Sequence, residues 1–485
     1  MYFIKYILNI YLVNMEINLI LFILNMFSGM GYSILPPLFP SLAAKNGLSD
    51  SIIGWIIGIF ALSSTIIALF IPFLIKKFTR IKLLYFSTFF EATSTLLYSL
   101  IIFINSFHLI IIIMFIIRII HGCCCGITGT LVYSLTISLS LQQKVKKELG
   151  NLEIGWCLGI IIGPMFTSIF YKLGGYPLPF LIIGFIMYIS FYLTNLVAEE
   201  KTESNIKTES DLPDLKFFKY GEINFILGLF FIGYISQSFF YPCLTNHLKK
   251  YFSLNISVSS LFFIIIEISY VIILQYLDSI TKRFGLYGTS CIGLLIASLG
   301  TLMIYPYPPI PKSLFFIVFG FILIGGGGVP IFIPGLIALN KNIKKNEFNI
   351  DELMANDITS SINFLIINIG DFCGPVIGGF LSTHLGFKNC CLSISCLILI
   401  YGIFYFIYFY NFIFEEFKAR ERKSSILDSK YSDENELINN LGIYKDNNSF
   451  DSIISDNTEI IGRRKNSFGL IIKDESNECE YQNLK

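Results

Sequence analysis

Six ionisable side chains stand out within otherwise apolar runs of this sequence, away from their very ends: Glu91, Arg118, His121, Glu153, Glu267 and Asp371. A charge at the depth of a membrane costs ~2.5–3.5 kcal/mol on insertion scales, so such residues point first to function. Burial disfavours the charged form of a carboxyl group. A carboxyl placed there can hold a proton or a cation, but not both comfortably, and trading one for the other is antiport. Glu267 lies about eleven residues into its run, within Phe262-Phe-Ile-Ile-Ile-Glu267. Asp371 sits between Gly370 and Gly374, and Glu153 near the start of another run. Arg118 and His121 are one helical turn apart, so they share a face and could couple protonation to gating. Glu153, Glu267 and Asp371 against Arg118 leave a balance of −2 if all ionise, which favours a cationic substrate. Tyr234, Gln237 and Tyr241, with Phe239 and Phe240, are candidate cavity residues whose rings could hold an ammonium by cation–π contact. Each reading has a plainer rival. Arg118 could be an ion-pair partner, His121 a packing residue, Glu153 a partner of Lys147 or a helix cap, and the aromatic residues ordinary core.

The elements that must position these groups follow from composition. Of 485 residues, 54% are hydrophobic and 14% charged, with 48 Phe and 2 Trp. This excludes a disordered chain and an ordinary soluble enzyme, for which about 25% charge is typical. Spanning helices need ~20 apolar residues each. Apolar runs fall near 16–38, 50–74, 83–104, 107–138, 151–171, 179–197, 222–245, 256–278, 286–305, 313–338, 357–384 and 389–411. Continuous runs suit helices, not the alternating strands of a membrane barrel. The expected fold is therefore an all-α membrane protein of twelve transmembrane helices. A charged stretch, 198–221, divides them six and six. The expected organisation is an interfacial N-terminus 1–15, bundles 16–197 and 222–411, a linker 198–221, and a disordered polar tail 412–485.

Loop charge sets orientation. Loops after even-numbered runs carry sixteen Lys or Arg and the opposite loops six, so both termini are expected in the cytosol. The sequon Asn255-Ile256-Ser257 falls in a non-cytosolic loop, in agreement. A net charge of +1 gives no case for nucleic-acid binding, and the cysteines show no metal-ligand or disulfide spacing. No G-x4-G-K-[ST], H-E-x-x-H or G-x-S-x-G motif is present, so ATP hydrolysis and the corresponding enzyme chemistries lack their residues. Neither a cofactor nor a metal is expected.

The two halves repeat a glycine pattern. The fifth run reads Gly155-x3-Gly159-x3-Gly163-Pro164, and the eleventh Gly370-x3-Gly374-Pro375-x2-Gly378-Gly379. Glycines four apart let helix backbones approach closely, and proline bends a helix by removing a backbone bond. Matching bent helices in two halves suggest a repeated transporter architecture, with these residues as gating elements. A second feature, Gly325-Gly-Gly-Gly328 with Pro330 and Pro334, is expected to give a hinge, a break or tight packing.

The fifth-run motif resembles the antiporter signature of the major facilitator superfamily. Arg118-Ile-Ile-His121-Gly122 resembles that superfamily's R-x-x-Q-G motif, with His in the Gln place. Pro37-Leu-Phe-Pro40, Gly47-Leu-Ser49 and Ile53-Gly54-x3-Gly58 are similar to the vesicular amine transporter group. Leu149-Gly150-Asn-Leu152-Glu153 and Gly175-Tyr176-x2-Pro179-Phe180 are similar to its polyamine-transporting branch. The sequence departs from the pattern between the second and third runs, where Lys76-Lys77-Phe-Thr79-Arg80 lacks the usual acid and glycines. Tyr241 precedes Pro242 where that branch has an acid, and Pro334 precedes Gly335 where it has Pro-Glu. The resemblance also implies that third spans are peripheral, which makes Glu91 structural.

The resemblance implies a secondary transporter that alternates access by rocking its halves, exchanging protons for a small organic cation. The expected partners are a small-molecule substrate, protons and the lipid bilayer, with the chain a monomer in an endomembrane vesicle or the plasma membrane. Two alternatives stay open: a uniporter or symporter of another small solute, and a non-transporting receptor or scaffold on the same fold. The tail patterns Asp433-x3-Leu437-Ile438 and Tyr481-x2-Leu484 resemble adaptor-binding signals.

Overall fold

The computed structural model describes residues 17–139, 145–199, 219–305, 313–346 and 352–440, and among them the regular structure is helical. Segment 1–15, most of the linker 198–221 and the Tyr481 motif lie outside the described residues, as do the side chains of Asp433, Leu437 and Ile438. The chain forms two units, residues 1–416 and 417–485. The described backbone of the second, 417–440, is helical.

In chain order the helices are α1 (Ile17–Ser33), α2 (Leu35–Lys45), α3 (Asp50–Lys77), α4 (Arg80–Leu97, running into a 3-10 turn Tyr98–Phe103), α5 (Phe107–Leu139), α6 (Val145–Gly174) and α7 (Pro177–Glu199). The second half has α8 (Gly221–Ser238), α9 (Leu244–Phe252), α10 (Ile256–Leu274), α11 (Leu277–Phe284), α12 (Leu286–Ile304), α13 (Leu314–Asn346) and α14 (Glu352–Asn440). Local chemistry sets several starts. Ser49, Thr79 and Asn255 each cap a helix by accepting a backbone N–H three residues on. Asn255, the sequon residue, serves as the cap of α10. Lys76 and Lys77 close the last turn of α3, where positive charge suits the helix dipole.

Ten runs among the described residues are long and apolar enough to cross a membrane. The count differs from the expected twelve for two physical reasons. The last run, Ile358–Lys418, holds both expected runs 357–384 and 389–411, joined in one helical assignment across Gly386 at φ 77°. The expected run 222–245 is present as α8, but Glu222, Asn224 and Gln237 dilute its apolar character. Large apolar side chains also face outward, including Phe103 (75% exposed) and Ile407 (63%). Such a surface suits lipid, where only backbone satisfied within helices is tolerated.

The packing repeats between halves. α1 lies on α6, α3 on α5 and α4 on α7. In the second half α10 lies on α13, and Ser298 of α12 bonds Ser395 of α14. Both glycine ladders seat the first helix of their own half. Gly155 meets Phe22, Gly159 meets Met26 and Met30, and Gly163 meets Ser33. Gly370 meets Tyr234 and Phe231, Gly374 meets Ser238, and Gly378 meets the Phe239 carbonyl. Ser33 on Gly163-Pro164 and Ser238 on Gly374-Pro375 are matching contacts in the two halves. The tetraglycine stretch is neither broken nor loose. Within the continuous α13, Gly325 lies on Ile266, Gly327 on Gly293 and Gly328 on Gln237.

Candidate transport site

α1, α6, α8, α10 and α14 surround the space where the two halves face each other. From α1, Tyr32 donates its hydroxyl to both oxygens of Asp371 on α14, at 2.9 and 3.0 Å. The same hydroxyl is within hydrogen-bonding reach of Tyr241, which follows α8. Tyr32, Ile160, Pro164, Tyr241, Phe263 and Glu267 line a cavity of about 20 Å³, room for roughly one water-sized group. Glu267 therefore faces the inside of the protein from α10, not the lipid. On α6, Glu153 is exposed and accepts a hydrogen bond from Tyr133 at 2.7 Å.

These carboxyl groups share one environment. Tyr234 lies within electrostatic reach of Asp371, Glu153 and Glu267 together. Cys157 and Tyr270 lie within reach of both Glu153 and Glu267. Tyr234 also packs its ring against Phe332 at 4.7 Å, and Tyr32 against Trp156 at 5.8 Å. The result is an acidic, aromatic-walled space, suited to a cation through charge and ring faces. Gln237 is half-buried with its side-chain nitrogen turned toward Gly328 on α13.

Arg118 and His121 sit elsewhere, in the interior of the first half. Arg118 is fully buried. Its Nη2 donates to the Ile57 carbonyl at 2.8 Å and its Nε to the Ile56 carbonyl at 3.3 Å, both on α3. Its guanidinium stacks 4.5 Å from the centre of the Phe60 ring. Asp371 is within its electrostatic reach; Nε and Nη2 are taken by backbone carbonyls, and Nη1 is buried without a hydrogen-bond partner. Nδ1 of His121 pairs with the Tyr98 hydroxyl at 3.0 Å. Both residues thus clamp α5 to its neighbours. Glu91 is also interior, contrary to the peripheral place the resemblance implies: it is 2% exposed and accepts from Ser28 at 2.5 Å.

The halves are sealed together at one end of this space. Asp50 accepts from Ser382 at 2.7 Å, and the Ser51 amide donates to Thr383 at 2.9 Å. Thr245 and Asn246 donate to the carbonyls of Pro37 and Pro40 at 3.2 and 3.3 Å. Gly54 and Gly379 let the backbones of α3 and α14 touch, at Pro375 and Asp50.

Sequence reasoning missed Tyr32, Asp50 and Ser382. Tyr32 is one of 27 tyrosines, and Asp50 looks like an ordinary first-turn acid behind the Ser49 cap.

Known proteins resemble this chain over most of its length. The family model described as Major Facilitator Superfamily matches residues 21–350. A Rattus norvegicus protein named MFS-type transporter SLC18B1 is 26% identical over 376 residues, 74% of this chain and 78% of its own. Its Homo sapiens namesake is also 26% identical, over 75% of this chain and 79% of its own. The crystal structure of the nucleoside transporter NupG superposes with a TM-score of 0.65 at 12% identity, covering 81% of this chain and 99% of that one.

Proposed function

This chain belongs to the Major Facilitator Superfamily, and on that premise we propose that it exchanges protons for a small organic cation, an amine or polyamine, by alternating access. It is a multi-pass integral membrane protein and a secondary transporter of small molecules, not an enzyme. The observation that carries the cationic reading is the convergence of three carboxyl groups, Asp371, Glu153 and Glu267, on Tyr234, against the single Arg118 within reach of Asp371, two of whose nitrogens bond backbone carbonyls. An excess of carboxyl groups in a low-dielectric site is stable when protons or a cation neutralise it.

In this reading Glu267 and Asp371 are the main proton-or-cation sites, with Glu153 nearer the open end. Tyr32 holds Asp371 oriented when no substrate is bound, and Tyr234 and Tyr241 offer ring faces to an ammonium. Substrate competes with protons for the carboxyl groups, so loading one releases the other. The glycine ladders hold α1 on α6 and α8 on α14, so each of these pairs moves together as the halves rock. In this reading the positive-inside orientation puts the end sealed by Asp50–Ser382 on the non-cytosolic side, so the arrangement is that of a cytosol-facing state. Similarity to the vesicular amine transporter group, carried by Gly47-Leu-Ser49 and Gly175-Tyr176-x2-Pro179-Phe180, supports the substrate class.

Uptake of labelled spermidine into proteoliposomes tests the reading. A gradient acid inside the vesicles drives accumulation, and collapsing it stops accumulation. Uptake that persists without the gradient supports a uniporter instead.

A further inference from the structure

Glu91 is a buried acid that the central site does not use. Its carboxyl, on α4, is 2% exposed and receives the Ser28 hydroxyl of α1 at 2.5 Å. The Thr128 hydroxyl of α5, itself bonded to Ser87 at 2.8 Å, lies beside it. Its other oxygen, Oε1, is buried with no hydrogen-bond partner. Among the described residues no Lys, Arg or His stands within ion-pairing distance of it. The titratable neighbours are Cys124 and Cys125 of α5, with Arg118 within reach of Cys125. From α7 the nearby group is the Met187 thioether, bonded by Thr95 one turn along α4. A carboxylate held this way has too few donors to replace water, and too few oxygens around it to hold a metal ion.

α1 ties this acid to the central cavity. Ser28 and Tyr32 are four residues apart, adjacent on one strip of the helix. Ser28 holds Glu91, and Tyr32 holds Asp371 of the other half. His121 Nε2, also buried without a partner, faces α1 at Gly31, between the two. Any displacement of α1 as the halves rock acts on both carboxyl groups.

We propose that Glu91 is a second proton site of the transport cycle, buried in the first half and coupled through α1 to the central carboxyl groups. This rests on the reading of the protein as a proton-coupled exchanger. Binding a proton turns the carboxylate into a neutral acid and removes the cost of a buried charge. Losing it restores that cost, so the protonation state biases the position of α1.

The test uses the full chain in liposomes. Infrared titration of the wild type shows the carbonyl stretch of a neutral carboxylic acid that Glu91→Gln lacks and Ser28→Ala shifts. An unchanged spectrum in Glu91→Gln overturns the proposal. In transport, Glu91→Gln keeps spermidine–spermidine exchange within about twofold of wild type but loses gradient-driven accumulation by about tenfold or more. Accumulation equal to wild type, or exchange lost together with accumulation, overturns it. A wild type that moves no spermidine sinks the amine reading instead, while the infrared result still decides Glu91.

Discussion

The Tyr32 hydroxyl donates to both oxygens of Asp371, joining the first helix of one half to the eleventh apolar run of the other. It is a contact between neutral donor and carboxylate at the centre of the molecule, beside the cavity that Glu267 also lines. In the proposed rocking of the halves, a bond that spans them in one state breaks or moves in the other, which would make it part of the transport cycle.

Tyr32→Phe deletes this donor and keeps the ring. A hydrogen bond to a charged group contributes ~1.5–3 kcal/mol, so the change corresponds to roughly a ten- to hundredfold effect. It is expected in the KM of exchange, measured as counterflow, with little loss of folded protein.

The glycine ladders give a contrast within one residue type. Gly159→Ala and Gly378→Ala place a methyl against the backbone of Met26 and Phe239, whereas Gly129 has nothing within 4 Å. The first two lower the thermal midpoint of the solubilised protein or prevent its folding. Gly129→Ala leaves it unchanged or stabilises it by about 0.5–1 kcal/mol, the helix preference of Ala over Gly.

Arg118 is expected to act through fold stability. Two charge-assisted bonds to the Ile56 and Ile57 carbonyls and the Phe60 stack depend on a guanidinium fork that Lys lacks. Arg118→Lys is expected to cost at least about 3 kcal/mol and to lower the thermal midpoint. The KM of the protein that remains folded changes less than in Tyr32→Phe.

The sealed end predicts a lock. Ser51 and Thr383 meet across the halves at 2.9 Å from amide to hydroxyl. A Ser51→Cys, Thr383→Cys pair, in a background with Cys243, Cys390 and Cys391 replaced, is expected to crosslink on oxidation and stop transport. Reduction restores it. Crosslinking that leaves transport intact contradicts a gate at this end.

Much of this was legible in the sequence because spacing carries it. Gly155, Gly159 and Gly163, and their counterparts from Gly370, announced close helix contacts, and the structure shows both ladders against the first helix of their half. The position of Glu267 and Asp371 within apolar helices is read directly from their apolar neighbours. What stayed hidden depends on partners far along the chain. Arg118 could not be assigned to α3 because its acceptors are backbone carbonyls some sixty residues earlier, which every residue type possesses. Tyr32 was lost among aromatic residues spread over every helix. Family likeness makes the third span peripheral and Glu91 structural, and only its burial and the Ser28 contact reveal that the acid lies inside the first half. The four glycines from Gly325 were open to either flexibility or packing, and three different neighbours settle it as packing.

The most direct measurement is spermidine uptake by wild type and Glu267→Gln in liposomes, with and without an acid interior. Wild type accumulates spermidine only with the gradient, and Glu267→Gln fails to accumulate it while remaining folded. Accumulation by Glu267→Gln at the wild-type level, still dependent on the gradient, contradicts the assignment of the central carboxyl group as the site of exchange.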